Sequence, residues 1–219
     1  MSASYLTDGS HLLLTGPTGS KTDYGGKTSL AAYLADNPLR ERELVVFLNV
    51  KHDPIGRVLE DYTEVDSVDG LADAMSSGAR RVIVTPTDSD WEAVSTRLVQ
   101  FIRALPSELS KAIVLDEVPE LEDEAVLTAV RVLGNGANCK SVLLSQSPTD
   151  VSTSIVKQVV PVWVGPVPSS YRAWFRSYSY AEAYEYIAEH HSPYEWTVIL
   201  GPGDGDWDHY KAVPEEYAV

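Results

Sequence analysis

Cysteine is almost missing: Cys139 is the only one in 219 residues, so no intramolecular disulfide framework can form and a reducing compartment suits the chain. Lysine is scarce too, with seven against ten arginines, and the 17 basic side chains face 32 acidic ones for a formal charge of −15. That deficit argues against a surface built as a whole to attract nucleic acid or anionic lipid. Apolar runs stop short of the ~18 residues that a membrane-spanning helix needs. The opening MSASYLTDGSHLLLTG has no basic n-region and only a short apolar stretch, so no secretory signal is expected. What is present is ordinary globular material, 44% apolar, which excludes wholesale disorder. A chain of this length buries about 70% of its unfolded surface, so one well-cored domain is expected. The acids are spread along the chain and do not form a tail. Evenly acidic, lysine-poor surfaces suit molar salt, where the Debye length falls to ~3 Å. We read the composition as that of a cytoplasmic protein from a high-salt interior, with an acidic mesophilic protein as the alternative.

Apolar and β-branched runs alternate with amphipathic segments of helical length. Strands are predicted over His11–Thr15, Leu44–Val50, Arg81–Thr85, Ala112–Glu117, Ser141–Ser145, Val159–Val164 and Trp196–Leu200. Helices are predicted over Lys27–Ala35, Gly70–Ser76, Asp90–Leu105, Asp123–Leu133 and Tyr180–His190. Strands spaced by helices imply right-handed crossovers and a doubly wound, mainly parallel sheet, an α/β fold. Residues 1–200 read as one domain and 201–219 as an irregular acidic tail.

The segment GPTGSKTDYGGKTSLAAYL, 16–34, has the ingredients of a phosphate loop. Glycines let backbone N–H groups approach phosphate oxygens, a lysine meets the β/γ oxygens, a Ser/Thr meets Mg²⁺, and a helix N-terminus faces the anion. Gly26-Lys27-Thr28 before an apolar helix supplies the last three. The usual spacing puts a glycine where this chain has Lys21. Gly16-Pro17-Thr18-Gly19-Ser20 therefore reads as the opening of the loop and 21–25 as an insertion before its close. A rival frame makes Lys21-Thr22 the functional pair, but it lacks the preceding glycine and runs into Asp23; Lys27 is preferred. The phosphate-binding candidates are Gly16, Pro17, Thr18, Gly19, Ser20, Gly25, Gly26, Lys27, Thr28 and Ser29, and a ligand-free glycine-rich turn is the alternative.

KAIVLDEVPEL, 111–121, is an apolar strand ending in Asp116-Glu117. An aspartate at such a strand tip can hold Mg²⁺ and an adjoining glutamate can take a proton from an attacking water, so Thr28 and Asp116 are the metal candidates and Glu117 the base. The doubled acid favours hydrolysis over phosphoryl transfer to a small acceptor. A second apolar strand ends in Ser145-Gln146 with Pro148 behind it, and Gln146 there would sit beside the first strand within reach of a γ-phosphate.

These pieces, in this order, resemble the FtsK–HerA superfamily of P-loop DNA pumps, in which a strand ends in Asp-Glu and a later strand in a Ser/Thr-Gln pair with a proline after it. The turn at Lys51 and Asp53 looks like that family's Lys-containing turn after the second strand. The resemblance covers roughly residues 10–170 and is greatest to the small genome-packaging ATPases of internal-membrane icosahedral viruses. It implies a RecA/FtsK-like P-loop NTPase domain, ATP and Mg²⁺ as cofactors, and double-stranded DNA as the load. It also implies self-association into a ring, a hexamer or pentamer, with capsid or inner-membrane vertex proteins as further partners. Host cytoplasm or a virion vertex would be the location. Two departures stand: the phosphate loop is longer, and Asn135 occupies the place where the family often has an arginine reaching a neighbouring subunit's nucleotide. Arg131 could substitute, with Arg172 or Arg176 as further candidates.

Other features weigh less. Asp204, Asp206, Asp208 and Glu215 have calcium-loop spacing, but His209 replaces the turn glycine and Pro214 precedes the Glu, so a solvated tail is preferred. His190, His191 and Cys139 have no zinc-ligand spacing. The aromatic stretch Tyr171, Trp174, Phe175, Tyr178, Tyr180, Tyr184 and Tyr186 reads as packing before it reads as a nucleic-acid stacking surface. Arg80, Arg81, Lys51 and Arg57 are the basic spots that could touch a DNA backbone. The expected function is an ATP-hydrolysing DNA translocase that packages viral DNA. A plasmid or cellular HerA-like pump, a P-loop kinase and a non-hydrolysing nucleotide-binding module remain the alternatives.

Overall fold

A run such as Leu44–Leu48, LVVFL, has no polar face, and a strand of that kind is stable only when both faces are covered. The computed structural model shows how that cover is provided; it describes residues 11–16, 26–133, 138–159, 162–165, 167–190, 195–200, 207–210 and 215–217. Nine strands among the described residues form one sheet: β1 (Leu12–Thr15), β2 (Leu44–Leu48), β3 (Thr63–Val65), β4 (Arg81–Val84), β5 (Lys111–Leu115), β6 (Cys139–Ser145), β7 (Val162–Val164), β8 (Trp196–Ile199) and β9 (Trp207–Tyr210). Their order is β3-β4-β2-β5-β6-β1-β7-β8-β9. Neighbours from β3 to β7 are parallel, and β8 and β9 extend the sheet antiparallel. The helices are α1 (Lys27–Asp36), α2 (Val68–Ser76), α3 (Trp91–Ala104), α4 (Asp123–Thr128), α5 (Thr153–Val156), α6 (Arg172–Ser177) and α7 (Ala181–His190).

Alternate strand residues feed two separate cores, as a two-residue period requires. Leu13, Val46, Ile113, Leu115 and Leu143 join one that takes Leu71 of α2, Leu98 of α3 and Phe175 of α6. Leu12, Leu14, Phe47, Val114 and Leu144 join the other, with Leu30 and Leu34 of α1 and the buried Trp163 and Trp196. Covered on both sides, the central strands show no alternation in sequence. The fold is the doubly wound α/β sheet expected.

Differences from the expectation have local causes. β2 stops at Leu48, not Val50, because the Asn49 side chain turns to cap the backbone of Asp53. β5 stops at Leu115 because Glu117 takes a left-handed conformation, φ 49°, which cannot continue a ladder. The last turn of the helix predicted over Asp123–Leu133 widens into a π-turn at Ala129–Leu133. α2 begins at Val68, two residues before the expected Gly70, because the Ser67 hydroxyl accepts from the Gly70 N–H at 3.1 Å and caps the helix.

The tail from Gly201 is not irregular throughout. Trp207–Tyr210 pairs with β8, and Asp208 lies in that strand opposite Val198, a geometry that does not suit a calcium loop; Asp204 and Asp206 lie outside the described residues. A short 3₁₀ turn at Glu215–Tyr217 then brings Tyr217 onto α1, edge-on to Tyr33 at 5.4 Å, its hydroxyl donating to Asp36 Oδ2 at 2.7 Å and accepting from Asn37 at 3.1 Å. Tyr217→Phe should cost about 1 kcal/mol. Urea unfolding should show it as a lower midpoint at unchanged slope.

Candidate functional site

Parallel strands place all their C-terminal ends on one side, and four adjacent strands, β2, β5, β6 and β1, bring the predicted site residues to that edge. Thr15 and Ser145 are partners in register, so Gly16 and Gln146 leave the sheet side by side. The Gly16 N–H donates to the Ser145 carbonyl at 3.3 Å.

Gly26 precedes α1 with φ 88° and ψ 10°, a left-handed conformation that glycine takes without steric cost. It turns the chain so that α1 starts at Lys27. The Lys27 ammonium is buried and donates to the Gly16 carbonyl at 2.8 Å, tying the end of the loop to its beginning. Burial lowers its pKa to about 8, with the nearby Lys51 charge acting in the same direction. Thr28 donates to Asp53 Oδ2 at 3.0 Å, and Ser29 is buried in the first turn of α1. Pro17, Thr18, Gly19, Ser20 and Gly25, and the rival pair Lys21-Thr22, lie outside the described residues.

At the tip of β5, Asp116 is 2% exposed and its Oδ1 accepts from the Glu117 N–H at 3.0 Å, while Oδ2 has no hydrogen-bond partner among the described residues. Burial raises its pKa to about 7, helped by the Glu117 charge. Glu117 sits in left-handed backbone, strain of about 1–3 kcal/mol for a non-glycine residue. Two partners hold its side chain. Gln146 Nε2 donates to Oε2 at 3.0 Å, and Lys51 forms an ion pair with Oε1.

Asp53, Asn49 and Lys51 belong to this edge although none was a sequence candidate for the site; only the resemblance pointed at the turn. Asn49, 1% exposed, accepts from the Asp53 N–H at 3.1 Å and donates to its carbonyl at 2.9 Å. Between them His52 is left-handed at φ 57°, which splays the turn so that Lys51 reaches Glu117 and Asp53 reaches Thr28. An unpartnered buried carboxylate oxygen beside a hydroxyl and a second carboxylate is a hard-oxygen donor set, and it fits Mg²⁺.

The arginine candidates lie elsewhere. Arg131 is exposed in the π-turn that leads back toward the start of β6, on the sheet edge opposite Glu117. Arg172 pairs with Glu185, and its guanidinium carbon lies 6.0 Å from the centre of the Tyr184 ring. Arg176 is exposed at the end of α6, and Arg57 is exposed in the turn after Asp53. Arg80 and Arg81 stand at the N-terminal edge, where backbone carbonyls, among them Met75 and Glu43, hold their guanidinium groups. The aromatic stretch is packing: Trp174, Phe175, Tyr180 and Tyr184 are buried and in ring contact. No group of three or more metal-ligating His, Cys, Asp or Glu side chains occurs among the described residues. No helix among them is long and apolar enough to cross a membrane.

Known protein-family models do not match the chain, and neither do curated proteins. Solved structures do. The genome-packaging NTPase B204 from Sulfolobus turreted icosahedral virus 2, in complex with AMPPCP, aligns with a TM-score of 0.70 at 16% identity over 95% of this chain and 100% of that one. B204 from Sulfolobus turreted icosahedral virus, described as its DNA-packaging ATPase, aligns at 0.66 and 12% identity over 94% and 99%. The cytoplasmic domain of the Thermomonospora curvata type VII secretion ATPase EccC aligns at 0.58 and 17% over 93% of this chain and 25% of that one. At such identities the likeness is one of fold, and this chain has the P-loop NTPase fold that viral genome-packaging ATPases have.

Proposed function

We propose that this protein is an Mg²⁺-dependent ATPase that drives double-stranded DNA into a viral capsid as a ring oligomer. One observation carries the hydrolytic part: Glu117 is held by Gln146 and Lys51 at the same sheet edge as Lys27, Thr28 and Asp116. Lys27 and the N–H groups at the start of α1 meet the β- and γ-phosphates. Thr28 and Asp116 hold the cation, which when bound neutralises phosphate charge. Glu117 accepts a proton from the water that attacks the γ-phosphorus, ADP leaves, and Gln146 reports whether the γ-phosphate is present. The kinase alternative is less well served, because a base beside the metal aspartate would spend ATP on water.

The packaging part is supported by the two B204 proteins, a genome-packaging NTPase and a DNA-packaging ATPase, which align with this chain over 100% and 99% of their own length. A ring is part of the reading because the exposed Arg131, in the turn before β6 and away from Glu117, could reach a nucleotide only on a neighbouring subunit. The test is steady-state ATP hydrolysis in high KCl with and without duplex DNA. Duplex should raise turnover several-fold. Turnover indifferent to DNA at every concentration removes DNA as the load, and no turnover in either arm removes the ATPase.

A further inference from the structure

An aspartate beside a phosphate loop needs an explanation. A nucleoside triphosphate carries several negative charges, and a carboxylate next to it repels them unless a cation lies between. Asp53 is such a carboxylate. It is close enough for its charge to act on both Lys27 and Asp116, and it accepts the Thr28 hydroxyl proton at 3.0 Å. Spending that proton on Asp53 leaves the Thr28 oxygen with its lone pairs directed away, ready for a cation. Asp116 supplies the independent sign of a ligand, a buried carboxylate oxygen with no partner among the described residues.

The placement of Asp53 is built. Asn49 bonds both its N–H and its carbonyl. Asn49 Nδ2 also donates to Thr85 Oγ1 at 3.4 Å, and Thr85 Oγ1 donates to Glu64 Oε1 at 2.8 Å, so the turn is moored across β4 to β3. We propose that Asp53 is a third member of the cation site, orienting Thr28 and adding a second carboxylate beside Asp116, with Asn49 as its positioning residue. This rests on the Mg²⁺·nucleotide reading above.

The test measures equilibrium binding of a fluorescent, non-hydrolysable ATP analogue, once in excess Mg²⁺ and once in EDTA. Wild type should bind more tightly with Mg²⁺. Asp53→Asn keeps the shape and removes the charge, so it should lose 10- to 100-fold of that Mg²⁺-dependent gain. In EDTA it should bind as well as wild type or better, because one repelling charge has gone. Asn49→Ala, outside the site, should lose part of the same gain, and adding it to Asp53→Asn should change little more. An equal Mg²⁺ gain in wild type and Asp53→Asn overturns the role of Asp53 alone. A wild type that gains nothing from Mg²⁺ overturns both this inference and the function it rests on.

Discussion

Glu117→Gln should slow ATP hydrolysis about 10²- to 10⁴-fold, the span a positioned general base contributes, while nucleotide affinity stays within a few-fold. Glutamine keeps the length of the side chain and its hydrogen bond with Gln146 but cannot take the water's proton. The ion pair with Lys51 is lost as well, so the exchange also removes the charge that Lys51 now meets. Wild-type turnover in Glu117→Gln would show that the base is another group. Tight binding with no turnover would separate the chemistry from the binding in a single variant.

Lys27→Ala should weaken ATP binding roughly 10- to 150-fold, the equivalent of losing hydrogen bonds to a charged group worth about 1.5–3 kcal/mol. The ammonium is buried, and the loop's own Gly16 carbonyl accepts from it at 2.8 Å. An arriving phosphate therefore finds a cation already oriented and largely stripped of water. Equilibrium binding also decides between the two frames of the loop. If Lys21→Ala abolished binding and Lys27→Ala spared it, the other lysine would be the phosphate ligand. If neither mattered, the chain would be no nucleotide-binding protein of this type.

Much of the fold was legible because a parallel sheet buried on both faces writes itself as unbroken apolar runs. LVVFL, KAIVL and the apolar part of β6 could hardly lie anywhere else. The elements that escaped lack that signature. β3 is TEV, with Thr63 and Glu64 exposed, and among the described residues it pairs with β4 alone, at the edge of the sheet. β9 lies among acidic and glycine residues that read as loop, and only its antiparallel pairing with β8 makes it a strand. The site divides in the same way. Lys27, Thr28, Asp116, Glu117 and Gln146 stand in local motifs whose spacing can be read. Asp53 reaches Thr28 only because Asn49 caps the turn and His52 adopts positive φ, and neither residue type announces that geometry in a linear sequence. Gln146 and Glu117 are 29 residues apart and meet because β5 and β6 are neighbours.

The position of β1 has a consequence for how the molecule is made. β2, β4 and β5 can assemble from a continuous stretch of chain, but β1, which precedes them, pairs with β6 and β7, more than 120 residues later. During synthesis β1 must wait, apolar and without β6, until the more than 120 residues between them have been made. Closing so long a loop is slow, and it comes after the local pairings. The phosphate-loop lysine and the glutamine of β6 therefore come together in one late event, so a nascent or truncated chain has no half-built nucleotide pocket with which to bind ATP prematurely.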